Sequence, residues 1–281
     1  MEVKSLADSL RAHFPDVRGG QDVVWLKPRR SPGSTSSRLR ADAEPSTAMM
    51  NLAKAMVAEV IAGRTGVPAD LVIVIDDVEL DNLGQEQIVA HHFRNAVRAE
   101  LERRKENSDM RTHERNVQRV RECCSFHVLR PMPESYFFGD PLALKRAGAM
   151  QSPILLDKSD VEKFEAADPI WLPTCHAANQ KHAASGRYWW RQELHPKEYL
   201  AHLVGRDDPV GYSETVHGAA ALASLDWPNV PKVVGDATFA RALFQDIADW
   251  FYMESPMPGQ ISNVFYPDMG VRRDTLLIRN M

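Results

Sequence analysis

Four carboxylates follow a short apolar stretch of the sequence. The stretch is residues 71–75 (LVIVI), and the acids are Asp76, Asp77, Glu79 and Asp81. Side chains alternate between the faces of an extended strand, so the last three acids would share one direction and the first would face away. Clustered carboxylates favour a neutralising cation, and all-oxygen ligation suits Mg²⁺ or Mn²⁺ rather than zinc. The spacing therefore indicates a divalent metal site.

A second pair of acids, Glu134 and Asp140, follows another apolar stretch, residues 124–129 (CSFHVL). Ligands of open α/β sheets bind beyond the carboxyl ends of the strands, so these acids could complete the metal site. Structural alternatives stay open, because Glu134 could complement a helix dipole and Asp81 or Asn82 could cap the next helix.

Basic and hydroxyl side chains indicate a separate phosphate-binding role. Lys197 lies in the predicted first turn of a helix, just after His195, where free backbone N–H groups favour phosphate. Tyr212 and His217, in the stretch GYSETVHG, could join them. The acid-free segment 27–40, which includes Arg29 and Arg30, is predicted to be a mobile basic loop that either contacts phosphate or is solvated. For the pair at 195–197, the alternative is an ordinary helix start with a solvated lysine.

Hydrophobic periodicity predicts the elements that would position these residues. Helices are predicted at 3–14, about 47–62 (capped by Ser46 or Thr47), 84–105, 133–148 with a break near Asp140, 195–204, 213–225 and 236–253. Residues 110–122 either continue the preceding helix or form another, and strands are predicted at 22–26, 71–75 and 124–129. Nearly continuous apolar strands separated by helices are typical of an α/β fold whose sheet is covered on both faces.

Composition bounds the class of protein. The 281 residues can bury a substantial core, and the formal charge of −4 confines any polyanion site to a local patch. Three cysteines, two of them adjacent, indicate a reducing compartment, and no apolar run is long enough for a membrane span or a signal peptide, so we expect a cytoplasmic protein. The sequence contains no Walker-type GxxxxGK[ST] motif and should not hydrolyse ATP itself.

The order of these motifs resembles a TOPRIM-like bacterial family of unknown function. The similarity covers roughly residues 1–252 and is strongest at 71–81 and 124–147. The family is distantly similar to the nuclease domains of topoisomerases, primases and overcoming-lysogenization-defect nucleases, and its members often belong to phage-defence loci. The resemblance implies a TOPRIM-like core over residues 1–150, with a mainly parallel, four-stranded sheet flanked by helices. Residues 151–281 would form an irregular and helical extension packed on that core.

Site residues carry over from the family position by position. The resemblance implies that Mg²⁺ (or Mn²⁺) is held by acids after the strand and by the later acidic positions, which here are Asp76, Asp77, Glu79, Glu134 and Asp140. His195, Lys197, Tyr212 and His217 match the family's other motifs. The family's first strand and its leading Glu have no counterpart before the first helix, although Glu2 lies about where a second acid would fall. Either translation starts further upstream, or the protein is a shortened version.

Three functions follow as expectations. The first is a Mg²⁺-dependent nuclease for DNA or RNA in anti-phage defence, activated by an ATPase partner, with Asp76, Asp77, Glu79, Glu134, Lys197 and His217 as its catalytic residues. The second is a non-catalytic scaffold of a defence complex, which would use the Trp-rich segment at 187–192 and the tail 255–281 as contact surfaces. The third is hydrolysis of nucleotides or other small phosphoesters. Self-association into a homo-oligomer is left open.

Overall fold

The protein divides into two compact units. The structure is a computed structural model that describes residues 3–185, 190–208, 210–267 and 270–281. One unit, here the helical unit, contains Met1–Arg30 and Arg130–Gln260, and the other, the sheet unit, contains Ser31–Leu129 and Ile261–Met281. This division differs from the single predicted boundary at residue 150, because the polypeptide leaves the helical unit at residue 30 and returns to it at residue 130.

The described strands lie in the first half of the sequence, and only described helices follow the last of them. In sequence order the helices and strands are α1 (Val3–Arg11), β1 (Val17–Arg18), β2 (Gln21–Asp22), α2 (Thr47–Ile61), β3 (Val72–Asp77), α3 (Glu86–Lys105), α4 (Met110–Cys123), β4 (Cys124–Leu129), α5 (Pro141–Arg146), α6 (Leu172–Ala184), α7 (Pro196–Gly205), α8 (Ala219–Ser224) and α9 (Thr238–Phe251). The fold is therefore mixed α/β. No helix in the described ranges is long and apolar enough to cross a membrane.

The sheet unit is built on β3 and β4, which pair in parallel with Val72 opposite Cys124 and Asp77 opposite Leu129. Both predicted strands are confirmed, as is α2, whose Ser46 side chain accepts a hydrogen bond from the Met49 N–H. Within the described residues this parallel sheet has two strands, whereas the resemblance implies four.

The sheet is covered less evenly than predicted. Every residue of β4 is buried, but most of β3 is partly exposed. The Phe126 ring stacks on Phe93 of α3 at a centroid distance of 4.0 Å, and the Asn280 side chain bonds both the N–H and the C=O of Phe126. The end of the tail therefore lies along β4 and satisfies its backbone, and Ile278, Asn280 and Met281 are buried.

In the helical unit, α1, α8 and α9 pack around aromatic side chains. Phe14 stacks on both Phe244 and Phe251 of α9, at centroid distances of 5.6 and 5.8 Å. The fully buried Trp227 donates its indole N–H to the Ser9 hydroxyl over 3.0 Å. These contacts join the first residues of the unit to its last helix.

The predicted strand at 22–26 is wrong. The polypeptide instead forms a two-residue hairpin in which β1 pairs with β2 across Gly19 and Gly20, both with positive φ. Beyond Asp22 the backbone is irregular, and Val24 is 78% exposed. Of the predicted strand only Asp22 pairs, with Val17 of β1; the rest of the run has no strand partner among the described residues, and Trp25 stacks on Phe251 instead.

Structure between residues 151 and 185 is more regular than the sequence indicated. In this part of the predicted irregular and helical extension, where hydrophobic periodicity predicts no helix, the structure has the 13-residue helix α6. A break near Asp140 is confirmed, since a 3₁₀ helix over Pro133–Gly139 ends there and α5 begins at Pro141.

The N-terminus of α9 is capped by acids from another segment. Glu162 accepts hydrogen bonds from the N–H groups of Phe239 and Ala240 at 3.0 and 2.9 Å, and from the Tyr136 hydroxyl at 2.8 Å. Asp160 accepts the Ala237 N–H at 3.2 Å. These carboxylates satisfy backbone donors that a helix leaves free at its start.

We expect the stability of the helical unit to fall as the pH rises from about 4.5 to 8. Burial raises the pKa of Glu162 from 4.5 to about 7, although the N–H and Tyr136 donors lower it. The folded state therefore binds more protons than the unfolded state in this range, so the free energy of unfolding decreases as the pH passes through the folded pKa. Urea unfolding at several pH values should show a loss of about 1–3 kcal/mol that Glu162→Gln removes. The exposed Glu254→Gln is the control and should keep the wild-type slope.

Candidate functional site

Asp76, predicted to bind metal, holds the basic loop in place. One carboxylate oxygen accepts hydrogen bonds from both the N–H (2.9 Å) and the hydroxyl of Ser34, and the other accepts the Asp77 N–H at 3.1 Å. Thr35 donates its hydroxyl to the backbone carbonyl oxygen of Asp77. Ser34 and Thr35 are buried, so this part of segment 27–40 is anchored, and the prediction of a mobile loop is wrong there.

Asn82 also anchors the basic loop, through hydrogen bonds between its side chain and the loop backbone. Its amide nitrogen donates to the C=O of Thr35 at 2.7 Å and of Ser37 at 3.1 Å, and its oxygen accepts the Leu39 N–H at 2.9 Å. Asn82 is fully buried, and α3 begins only at Glu86, with Gln85 at its N-cap. The alternative in which Asp81 or Asn82 caps this helix is therefore wrong.

Replacing Asn82 by alanine is expected to destabilise the sheet unit by about 1–3 kcal/mol, because buried backbone groups of the loop would lose their partners. Chemical denaturation would measure the loss. Asn51, which is exposed on α2, provides the control, and Asn51→Ala should change stability by less than about 0.5 kcal/mol. Equal losses in the two variants would contradict the anchoring role.

Glu79 interrupts the predicted alternation of the acids. Strand β3 ends at Asp77, and Glu79 has a φ of 57°, in the left-handed region. The backbone turns there, so the expectation that Asp77, Glu79 and Asp81 share one direction along an extended strand is wrong. Burial raises the pKa of the Asp81 carboxyl, against the opposing charge of Arg38.

Asp140 also has a structural role. One of its oxygens caps α5 by accepting the Leu142 N–H at 2.8 Å, and the other accepts the Asp226 N–H at 2.9 Å. Both oxygens are therefore committed to backbone donors. The residue ties the start of α5 to the segment that follows α8.

Two of the predicted metal ligands, Asp76 and Asp140, have structural hydrogen bonds on both carboxylate oxygens. Within the described residues, no group of three or more His, Cys, Asp or Glu side chains is placed to hold a metal ion. Glu2, the further acid named from the sequence, lies outside the described residues.

The helical unit brings together acidic and basic residues from three distant segments. Glu134, in the 3₁₀ helix Pro133–Gly139, is only 4% exposed, and the Tyr212 hydroxyl donates to its carboxylate over a long 3.5 Å. Lys197, in the first turn of α7, forms an ion pair with Glu214. We call Glu134, Lys197, Tyr212 and Glu214 the Lys197 cluster.

Burial and neighbouring charge tune the Lys197 cluster. Burial raises the pKa of Glu134, against the attraction of Lys197. Burial opposes the charge on Lys197, but the hydrogen bond and charge of Glu214 and the charge of Glu134 outweigh it, so the pKa of Lys197 is raised. Burial, followed by the two glutamates, raises the pKa of Tyr212. The cluster therefore combines a lasting cation, a phenol donor and a carboxyl that retains its proton more readily than usual.

His217 lies beside this cluster on a π-helical turn, Glu214–Gly218, that leads into α8. Its Nδ1 accepts the Ser213 N–H at 2.9 Å, and its ring stacks on Tyr212 at a centroid distance of 6.2 Å. An acceptor at Nδ1 leaves the ring proton on Nε2, so His217 can donate one hydrogen bond from its other nitrogen.

His195 is two residues before Lys197 in the sequence but, unlike Lys197, is uncharged at neutral pH. Burial, with the nearby Lys197 charge, lowers the pKa of His195 to about 4. Its ring packs edge-on against Trp190 at 5.0 Å. His195 is therefore neutral at neutral pH and can contribute only a hydrogen bond to a phosphate.

Other residues that the sequence singled out for binding are not members of the Lys197 cluster. Arg29 and Arg30 are exposed in the helical unit. Part of the Trp-rich segment, residues 187–189, lies outside the described residues. Sequence reasoning did not single out Glu214, although its place between Tyr212 and His217 was a signal that could have revealed it.

Comparisons of this protein with family models, with curated proteins and with solved structures find no match. The candidate site is therefore defined by its geometry and by the order of its motifs.

Proposed function

We propose that this protein hydrolyses phosphodiester bonds of DNA or RNA, with the Lys197 cluster as its phosphate-binding and proton-donating part. One observation carries the proposal. Glu134, Lys197 and Tyr212, which the sequence associates with phosphodiester chemistry in three separate segments, lie together in the helical unit.

Each member of the cluster has a distinct role in this proposal. The Lys197 ammonium neutralises a non-bridging phosphate oxygen, and His217 adds a hydrogen bond from Nε2. Tyr212 orients the Glu134 carboxyl, whose pKa is raised. Water attacks the phosphorus and loses a proton to solvent, and as the bond to the leaving oxygen breaks, Glu134 donates its proton to that oxygen. Glu214 holds Lys197 in place until the substrate arrives.

Mg²⁺ or Mn²⁺ bound by Asp76, Asp77, Glu79, Glu134 and Asp140 stays a prediction from the resemblance. We assign no catalytic step to the metal ion, because the carboxylates of Asp76 and Asp140 already accept hydrogen bonds from the protein backbone. The role in phage defence and the ATPase partner are proposed on the resemblance alone.

The proposal is tested by incubating the purified protein with labelled DNA, RNA and nucleotides, in Mg²⁺, in Mn²⁺ and in chelator. We expect cleavage of at least one polynucleotide, and its loss in Lys197→Met. Asp77→Ala reports separately on the metal, since it should abolish only the Mg²⁺- or Mn²⁺-dependent part. Cleavage confined to mononucleotides would instead support hydrolysis of small phosphoesters.

A second candidate function is a non-catalytic scaffold. It is favoured by the structural hydrogen bonds of Asp76 and Asp140, which are those expected of acids that stabilise a fold. Inactivity on every substrate and in every metal, by protein that is folded and binds a partner or itself, would support it and contradict the nuclease.

A further inference from the structure

One arginine on α3 of the sheet unit has no hydrogen-bond acceptor among the described residues. Arg94 is half-buried, and no hydrogen bond or ion pair connects it to any residue that the structure describes. Its neighbours on α3 differ: Arg103 and Arg104 both bind Glu100, and Arg98 donates to Asn95 at 3.1 Å. Because its N–H groups reach solvent and no described side chain accepts them, the Arg94 guanidinium is available to an external anion.

Two adjoining cavities, of about 500 and 450 Å³, share Arg94 and Val264 in their walls. We call them together the Arg94 groove. Gln87, His91 and Arg94 follow one another at helical spacing and so line the groove from one face of α3. No acid lines either cavity among the described residues.

The two cavities differ in the side chains beside Arg94. The first has the polar side chains of Gln87 and His91. The second has the Tyr266 ring in its wall, with polar groups at Ser262 and Asn263. A guanidinium where the two cavities meet, with an aromatic ring in the wall of one of them, matches a ligand that carries both a phosphate and a flat ring.

We propose that the Arg94 groove binds a nucleotide, with its phosphate on the Arg94 guanidinium and its base against Tyr266. Burial and the nearby Arg98 lower the pKa of Arg94, which is consistent with a cation that a bound phosphate would stabilise. This site lies wholly within the sheet unit and does not depend on the Lys197 cluster.

Binding of fluorescent N-methylanthraniloyl-AMP to the purified protein, measured by anisotropy, tests the proposal. We expect Arg94→Met to weaken binding by at least about tenfold, because the bidentate guanidinium contact is lost. Arg98→Met is the matched control, since it removes the same charge from the same helix outside the groove, and should change affinity by less than about twofold. Arg94→Lys keeps the charge without the planar fork and should still bind more weakly than the wild type.

Competition assigns the two ends of the ligand. Unlabelled AMP and inorganic phosphate should displace the probe, whereas adenosine should compete poorly. Tyr266→Leu should weaken the binding of AMP but not that of inorganic phosphate.

Equal losses of affinity in Arg94→Met and Arg98→Met, equal competition by adenosine and AMP, or no binding at millimolar probe would overturn the proposal. Displacement by hexaglutamate as effective as by AMP would also overturn it, in favour of an acidic protein partner. The Lys197→Met variant should bind the probe normally. Loss of cleavage in that variant therefore tests the proposed nuclease and not the Arg94 groove.

Discussion

Replacing Lys197 by methionine is expected to lower the rate of phosphodiester cleavage by at least about 100-fold, the effect typical of removing one electrostatic contact to a transition state. Methionine keeps most of the length of lysine but cannot offset the charge of a phosphate. The substitution also leaves Glu134 and Glu214 without the cation that attracts both. Single-turnover rates with saturating enzyme would measure the loss apart from changes in substrate affinity.

Two variants separate this effect from a general loss of charge or fold. Lys181 is exposed on α6, so Lys181→Met removes the same charge from the helical unit and should retain full activity. Glu134→Gln keeps the shape of the cluster but cannot transfer its proton, and should also be strongly impaired. Wild-type rates in Lys197→Met would exclude the cluster from catalysis.

Replacing Phe126 by alanine is expected to destabilise the sheet unit by about 3–5 kcal/mol, the cost of removing a fully buried aromatic side chain. Phe126 lies in the middle of β4, stacks on Phe93 of α3 and meets Phe265 of the tail edge-on at 5.6 Å. The cavity would therefore weaken three contacting segments together. Hydrogen exchange of the β4 amides measures the stability of the sheet unit separately from that of the helical unit.

Met110→Ala is the control for this substitution, because Met110 is 62% exposed at the start of α4. It removes a large apolar side chain from the surface and should cost less than about 0.5 kcal/mol. A Phe126→Ala variant as stable as this control would show that the tail and α3 do not pack on β4 as described.

Local sequence patterns were sufficient for most elements near the candidate site. Strand β4 follows from a run of apolar residues between helices, and α2 follows from its periodicity and its Ser46 cap. The break at Asp140 follows from Pro141, whose ring cannot continue a preceding helix. Each of these signals depends on residues a few positions apart.

The same patterns failed where a residue's partner lies far along the sequence. Asp76 resembles a metal ligand in its local context, but Ser34, 42 residues earlier, takes its carboxylate. Residues 22–26 have the composition of a strand, but among the described residues only Asp22 has a strand partner, Val17 of β1. The ion pair of Lys197 with Glu214 was not predicted because its partners are 17 residues apart, although Glu214 lies between the predicted residues Tyr212 and His217.

By itself, the sequence determined the mixed α/β class, the positions of the parallel strands and the residue types suited to phosphate chemistry. Only the tertiary structure decided which of those residues share a site, placing Glu134 with Lys197 and Tyr212 but committing Asp76 and Asp140 to the fold. The physical reason is that helices, strands and caps arise from short-range hydrogen bonding and periodicity. The burial, charge and bonding of a carboxylate depend instead on side chains that only folding brings near it.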